Sequence, residues 1–346
     1  MHTLTHGVGS QTLLASAPPP SSMSSNRITP GQKPDWLKVP IPSGPTVARL
    51  TKTLRDRGLH TVCEEARCPN MGECWDGGTA TFMVLGDTCT RGCRFCAVKT
   101  NSKGVPVDAE EPEKVAESCV AMGLKYVVLT MVDRDDLPDG GAKHVADTIR
   151  AIKRRAPEML VEALVGDWLP MDRTARADIQ RRESSIRTLV DSGVDVYAHN
   201  IETVLRLTPR VRDPRCSYLG SLKTLEMAKQ LRPDVVTKSS LMLGLGESDR
   251  ELEQSMDDLR EFGVDVVTFG QYLRPSMHHL PVREHVTPAR FKALEERAMT
   301  KGFLYVASGP LVRSSYKAAE FYIEGLLRQR KEQEQREAAQ VQVTTS

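Results

Sequence analysis

The sequence predicts an α/β protein: a partial (β/α)6 TIM-type barrel of parallel strands, preceded by a cysteine-bearing extension and followed by a helical segment. Six apolar, β-branched runs carry this expectation: TATFMVLGD (79–87), KYVVLTMV (125–132), MLVEALVG (159–166), VDVYAHN (194–200), DVVTKSSLMLGLG (234–246) and VDVVTFGQYL (264–273). They are near-continuous rather than alternating, the pattern of parallel strands covered on both faces. Amphipathic helical patterns lie between most of them, so strand and helix alternate in series. Polar and glycine-rich stretches follow the strands directly: TCTRGCRFC after the first, DRDDLPDGG (133–141) after the second, HNIET (199–203) after the fourth and GLGESD (244–249) after the fifth. In a parallel barrel these loops form the mouth, where ligands bind.

Taken in order, residues 1–34 are rich in Ser, Thr, Pro and Gly, with no acidic residue before Asp35, and are expected to form a disordered tail. Residues 35–78 make an extension holding three cysteines, and residues 79–303 the barrel. Residues 304–330 add a C-terminal segment, with a short strand near LYVAS (304–308) and a final helix from about Ser315; residues 331–346 are a polar tail. Helix starts are legible inside the barrel. Asp108 and Glu111 have capping-box spacing, as do Ser248 and Glu251, and Thr287 precedes Pro288 at a first turn.

Composition excludes several function classes. A formal net charge of +2, from 47 basic and 45 acidic residues, gives no field suited to nucleic acid or a membrane surface. Aromatics at 5% disfavour a base-stacking platform. No apolar run approaches the roughly 18–20 residues that span a bilayer. The expectation is a soluble, cytoplasmic protein. The acid-free, Ser-rich start raises a mitochondrial or plastid setting as the lesser reading, because it lacks arginine before Arg27.

The cysteines carry the chemistry. Of eight, six fall between Cys63 and Cys96, in two triplets: Cys63, Cys68 and Cys74, then Cys89, Cys93 and Cys96. Clustered thiols without a secretory signal point to metal or redox chemistry rather than disulfides. Structural zinc is the plain alternative, but zinc spacings come in pairs and no histidine stands near the second triplet. Two iron–sulfur clusters with three cysteines each suit the count better. Three ligands also leave one coordination position open, as catalytic metals do. Cys119 shares a helical face with Val115 and Met122 and is expected in the core. Cys216 has no metal-like neighbours in sequence, and neither is expected to be a ligand.

C-x3-C-x-aromatic-C directly after a first barrel strand resembles the radical S-adenosylmethionine superfamily. That resemblance implies a 4Fe-4S cluster held by Cys89, Cys93 and Cys96, with S-adenosylmethionine on the remaining iron as the source of a 5′-deoxyadenosyl radical. Gly86 and Gly92 would let the loop wrap closely. HTVCEEARCPNMGECW (60–75) and GPLVRSSY (309–316), with VDRDDLPDGG, YAHNIETV, TKSSLMLGLGE and HHLPV between, resemble the lipoyl synthase family from about Asp35 to about Glu324. In that family the N-terminal cysteines hold an auxiliary 4Fe-4S cluster completed by a serine, which maps to Cys63, Cys68, Cys74 and Ser315 rather than Ser314. The implied reaction inserts two sulfurs, at carbons 6 and 8, into an octanoyl group carried on a lysine, with the auxiliary cluster as donor. The implied partners are octanoylated lipoyl carrier domains, such as the glycine cleavage H protein and 2-oxoacid dehydrogenase acyltransferase subunits. The implied electron donor is a flavodoxin or ferredoxin.

Loop residues supply candidate S-adenosylmethionine contacts: Asp133 and Asp135 beside Arg134, Asn200 and Glu202, and Lys238. Solvated surface is the plain alternative for the aspartates, and a loop cap for Asn200 and Glu202. A lysine in a buried strand needs a carboxylate partner, from cofactor or protein. Arg313 is a candidate neighbour of the auxiliary cluster; His278 and His279 read as structural. Two features depart from the family pattern: Met131 stands where serine is common, and residues 161–185 are longer and more charged than usual. The rival readings are a zinc-stabilised binding module and a biotin-synthase-like sulfur inserter. The second leaves HTVCEEARCPNMGECW and RSSY unexplained.

Overall fold

The computed structural model describes residues 33–38, 51–52, 59–61, 70–168, 175–314 and 325. The expected tails, Cys63, Cys68, Ser315 and the expected final helix lie outside the described residues. Among those described, no helix is long and apolar enough to cross a membrane.

The strands are β1 (His60–Thr61), β2 (Thr79–Val84), β3 (Thr88–Cys89), β4 (Lys99–Thr100), β5 (Tyr126–Met131), β6 (Leu160–Leu164), β7 (Val196–Ala198), β8 (Val236–Leu243), β9 (Val266–Gln271) and β10 (Tyr305–Gly309). The helices are α1 (Met71–Asp76), α2 (Glu111–Ala121), α3 (Ala142–Arg155), α4 (Ala175–Val190), α5 (Thr208–Val211), α6 (Tyr218–Leu231), α7 (Asp249–Glu261) and α8 (Pro288–Thr300). The main sheet runs β1-β2-β5-β6-β7-β8-β9-β10. Only β1 is antiparallel, pairing His60 with Met83; the other seven strands are parallel. The six expected strands are all present, and the LYVAS strand joins them as a seventh, with Tyr305 opposite Val266.

Side-chain alternation splits the sheet residues into two packing zones, because successive side chains on a strand point to opposite faces. Val127, Leu129, Val161 and Val267 pack in the large cluster that includes the helix residues Ile149, Ile186, Leu225 and Met256. Tyr126, Val128, Leu160, Val196, Val236 and Val266 form a separate inner cluster. Glu162 and Lys238 are buried beside it, joined by a 2.7 Å hydrogen bond that Tyr126 Oη supplements at 2.8 Å.

Helix caps only partly follow the sequence. Ser248 and Glu251 form the full capping box of α7, and Thr287 Oγ1 accepts from Arg290 N ahead of Pro288. Asp108 and Glu111 do not form one. The N-cap of α2 is Glu110, without a side-chain bond. The Glu111 carboxylate instead accepts from Leu85 N at 2.9 Å and meets His144 Nε2 at 2.6 Å. Cys119 is fully buried on α2, as its helical spacing implies.

Candidate functional site

The βα loops gather at the C-terminal ends of the strands. The loop after β2 carries Cys89, Cys93 and Cys96 and is tied at its base by the short β3–β4 pair, Cys89 opposite Thr100. It leaves the sheet through Leu85 and Gly86, both at positive φ (72° and 88°). A side chain on Gly86 would lie 2.2 Å from Val105 Cγ2, so glycine is required there. Leu85 pays for its conformation with fixed partners: Glu111 takes its N–H, and Arg134 Nη1 donates to its carbonyl at 3.3 Å. Trp168 and Glu202 are the other described non-glycine residues at positive φ, and both also follow strand ends. Strained backbone of this kind concentrates around binding sites.

Arg91, between the first two thiols, is the hub of the mouth. Its buried guanidinium forms a two-bond fork on Asp135 (3.0 and 2.8 Å), lies 2.7 Å from Asp167 and 3.8 Å from Asp133, and donates to Cys216 Sγ at 3.3 Å. Asp213 accepts from Gly92 N at 2.8 Å and is held by Arg215, which also reaches Asp135 at 3.1 Å. Thr90 donates from both N and Oγ1 to the Asp133 carbonyl (2.8 and 2.9 Å). Burial, opposed by Arg91, raises the Asp133 carboxyl, with Asp167 and Asp135 adding like charge. Asp167, against Arg91, is held down at about 2 despite its burial. The loop is therefore locked by charge on its inner side. On its outer side Leu280 N donates to Arg94 O at 3.2 Å, and the His279 ring bridges Cys96 O and Ser276 Oγ.

The expected contact residues divide. Asp133, Asp135 and Glu202 come together beneath the thiol loop; Glu202 acts electrostatically on Cys96, and burial raises its own carboxyl. Asn200 Nδ2 donates to Glu202 Oε1 at 3.1 Å. The aspartates are not solvated surface, because Arg91 takes them into a buried network. Lys238 stands apart, in the inner barrel layer with Glu162, so its carboxylate partner is supplied by the protein. Cys216, expected not to be a ligand, gains a thiol neighbour that its place in the sequence does not show: the loop after β7 folds it against Cys93. Arg91, Asp167, Arg212, Asp213 and Arg215 were not singled out from the sequence. Arg91 lies inside the cysteine motif, and VRDPR is a charge-dense loop, so a signal was present.

The three thiols suit an iron–sulfur cluster. Arg91 N donates to Cys89 Sγ (3.4 Å) and Asp213 N to Cys93 Sγ (3.3 Å), the kind of bond that tunes cluster thiolates. Among the described residues no three ligating side chains converge where a single ion would sit. A cubane presents a separate iron to each thiol and needs no such convergence. Burial, with Asp133, pushes the Cys89 thiol up to about 12. Hydrogen bonding to Cys216 and burial raise Cys93, and burial raises Cys96. Such thiols become ligands when metal displaces their protons.

The second triplet is represented by Cys74, buried on α1. Asn70, at the head of α1, donates from Nδ2 to the Leu311 carbonyl at 2.7 Å. The segment after β10 crosses the end of β9, where a side chain on Gly270 would lie 2.2 Å from Val312 O. Arg313 and Ser314 follow directly, so the head of α1 and the described start of this segment, through Leu311, are joined at the same mouth.

A parallel partial barrel with three thiols in the loop after its first parallel strand defines a class: residues 83–259 match the radical SAM superfamily, which implies a 4Fe-4S cluster and S-adenosylmethionine. Residues 22–68 match the N-terminal domain of lipoyl synthase of the radical SAM family. The chain is 55% identical over 303 residues to a mitochondrial lipoyl synthase of Aspergillus flavus, covering 86% of this chain and 70% of the relative. It is 56% identical to one of Candida albicans, with 86% and 75% covered. An apicoplast lipoyl synthase of Toxoplasma gondii is 55% identical, with 86% and 54% covered. The chain belongs to the lipoyl synthase family. Among solved structures it resembles the FeFe-hydrogenase maturase HydG from Carboxydothermus hydrogenoformans, with TM-score 0.52, 17% identity, and 66% of this chain and 52% of that one covered. It also resembles SuiB of Streptococcus suis bound to its precursor peptide SuiA (TM-score 0.50, 10% identity, 76% and 52% covered). Both likenesses concern the fold alone. The expectation of a cytoplasmic protein is corrected by the mitochondrial and apicoplast names of these relatives.

Proposed function

We propose that the protein inserts sulfur at carbons 6 and 8 of an octanoyl group borne on a lysine of a lipoyl carrier domain, and that it does so in an organelle. Family membership supports the reaction, and the joining of α1 to the segment after β10 is the structural observation that carries the two-cluster reading. Cys89, Cys93 and Cys96 would hold one 4Fe-4S cluster, and Cys63, Cys68, Cys74 and Ser315 the other. When bound, the clusters and S-adenosylmethionine supply the reducing electron, the hydrogen-abstracting radical and the sulfur. Such chemistry suits aliphatic carbons, which have no acidic proton for a side-chain base to remove.

The chain's own residues orient and enclose. Arg91, clamped by Asp135 and Asp167, fixes the loop between the first two ligands, so the thiols need little reorganisation on loading. Asn200 and Glu202 line the cofactor side, where the Glu202 carboxyl is suited to an amino or hydroxyl donor. Asp133 and Asp135 act through the loop as positioning residues. Ser315 would bind through a harder, more readily protonated oxygen than a thiolate, which eases release when sulfur is given up. The carriers would be the glycine cleavage H protein and acyltransferase subunits of 2-oxoacid dehydrogenases, with a flavodoxin or ferredoxin as reductant.

The test is anaerobically reconstituted protein with S-adenosylmethionine, dithionite and an octanoyl-lysine peptide, read by mass. Gain of two sulfurs is expected. Cofactor cleavage with no sulfur gained would remove the lipoyl assignment while leaving the superfamily. A Cys74→Ala variant should cleave the cofactor yet add no sulfur. Subcellular fractionation checks the organellar setting.

A further inference from the structure

We propose that the basic rim of the barrel mouth is a docking surface for the protein that carries the substrate, and that it recognises a carrier domain whose acylated lysine projects from an acidic face. This rests on the reaction proposed above, because a lysine-borne chain must be delivered into the mouth by its domain. Contacts run continuously along the rim. Arg283 N donates to the Gly244 carbonyl at 2.8 Å, and its side chain passes beside Gly246. The Arg206 guanidinium donates to the Gly246 carbonyl at 2.9 Å. One turn further on is Arg210, whose carbonyl accepts from Arg94 Nη1 at 3.4 Å. Arg94 in turn is bonded through its own carbonyl to Leu280, in the loop after β9.

Charge on this rim is unbalanced although the chain is nearly neutral. Arg94, Arg210 and Arg283 are exposed, and no carboxylate lies within 4.0 Å of them among the described residues; Arg206 is paired with Glu251. On the outer helices the exposed arginines Arg154, Arg155, Arg187 and Arg297 are each paired with a glutamate, although Arg250 is not. Unpaired arginines around a concave mouth steer an anionic partner. The two most exposed large apolar side chains described, Met277 (80%) and Leu205 (64%), sit on the same βα loops. Arginine with isolated Met and Leu is a composition of protein interfaces. Nucleic acid would call for stacking aromatics, and among the described residues the rim exposes none.

The experiment compares the reconstituted enzyme with a double variant, Arg210→Glu with Arg283→Glu, neither residue belonging to the site. Two substrates are used: an octanoylated carrier domain of acidic pI and a short, net-neutral octanoyl-lysine peptide. The variant should raise the KM for the domain by roughly tenfold or more while kcat and turnover of the peptide stay unchanged. Direct titration of the domain should show the same fold loss in affinity, and a steep salt dependence in the parent that flattens in the variant. Replacing acidic residues beside the carrier's lysine with lysine should restore binding to the variant. Equal loss for domain and peptide, or no loss for either, would overturn the docking surface while leaving the reaction intact. Parent enzyme that adds sulfur to neither substrate would overturn the reaction, and this inference with it.

Discussion

Asn70 Nδ2 donates a 2.7 Å hydrogen bond to the carbonyl of Leu311, joining the head of α1 to the segment that leads into RSSY, 241 residues away. Replacing Asn70 by Ala leaves the carbonyl without this partner, at a cost of about 1–3 kcal/mol. The effect should fall on one cluster. After reconstitution, about half the iron and sulfide should be missing, with cofactor cleavage retained. Proportional loss of both activities would show that the bond merely stabilises the fold.

Arg91 makes a testable case for charge geometry. Arg91→Lys keeps the charge but cannot fork onto Asp135 while also reaching Asp167. Cofactor cleavage should fall on the order of tenfold to a hundredfold. The electron paramagnetic resonance signal of the reduced cluster should broaden, with thermal stability little changed. Arg91→Ala should instead cost about 3–5 kcal/mol, because it leaves buried carboxylates unpaired. An unchanged cluster signal in Arg91→Lys would remove the positioning role.

Lys238 and Glu162, 1% and 0% exposed at their side chains, form the ion pair of the inner barrel. Lys238→Met alone should destabilise by about 3–5 kcal/mol in denaturant titration, and the double change Lys238→Met with Glu162→Leu should recover most of it. The KM for S-adenosylmethionine should stay constant in the double variant. A large rise would return Lys238 to the cofactor.

His199 gives the pH dependence. Burial, with Arg212 nearby, lowers its pKa to about 4, while its ring is held between Val165 O and Ser221 Oγ. The unfolded chain therefore binds a proton at a higher pH, near 6.5, than the folded one. Stability from this group is complete above 6.5 and is lost as pH falls toward 4, by roughly 3 kcal/mol. His199→Gln should flatten that part of the stability–pH curve. An unchanged slope would assign acid sensitivity in this range elsewhere, for instance to His285, whose pKa burial also lowers.

The strands were legible because parallel strands covered on both faces leave uninterrupted β-branched runs, and Ser248 and Thr287 were legible because their partners are three residues away. Glu111 departs from its capping-box spacing for the opposite reason: its local capping geometry lost to Leu85 N and His144, contacts set by tertiary packing. Cys216 shows the same limit, since its neighbour Cys93 lies far back in the chain. The need of Lys238 for a carboxylate followed from burial alone, but the choice between cofactor and protein required Glu162 to be seen opposite. The cysteine loop was recognised by spacing, whereas its bracing by Arg91, Asp167 and Asp213 depends on three separate loops meeting.

The bond between Asn70 and Leu311 also dictates a timetable. Synthesis reaches Leu311 on the order of tens of seconds after Asn70 leaves the peptidyl-transferase centre. The cysteine loop after β2 can meet most of its bracing partners earlier, but the head of α1 must wait for nearly the whole chain. Until Leu311 has been made, Asn70 Nδ2 lacks this acceptor, and the helix that carries Cys74 must rely on earlier contacts such as those with β2.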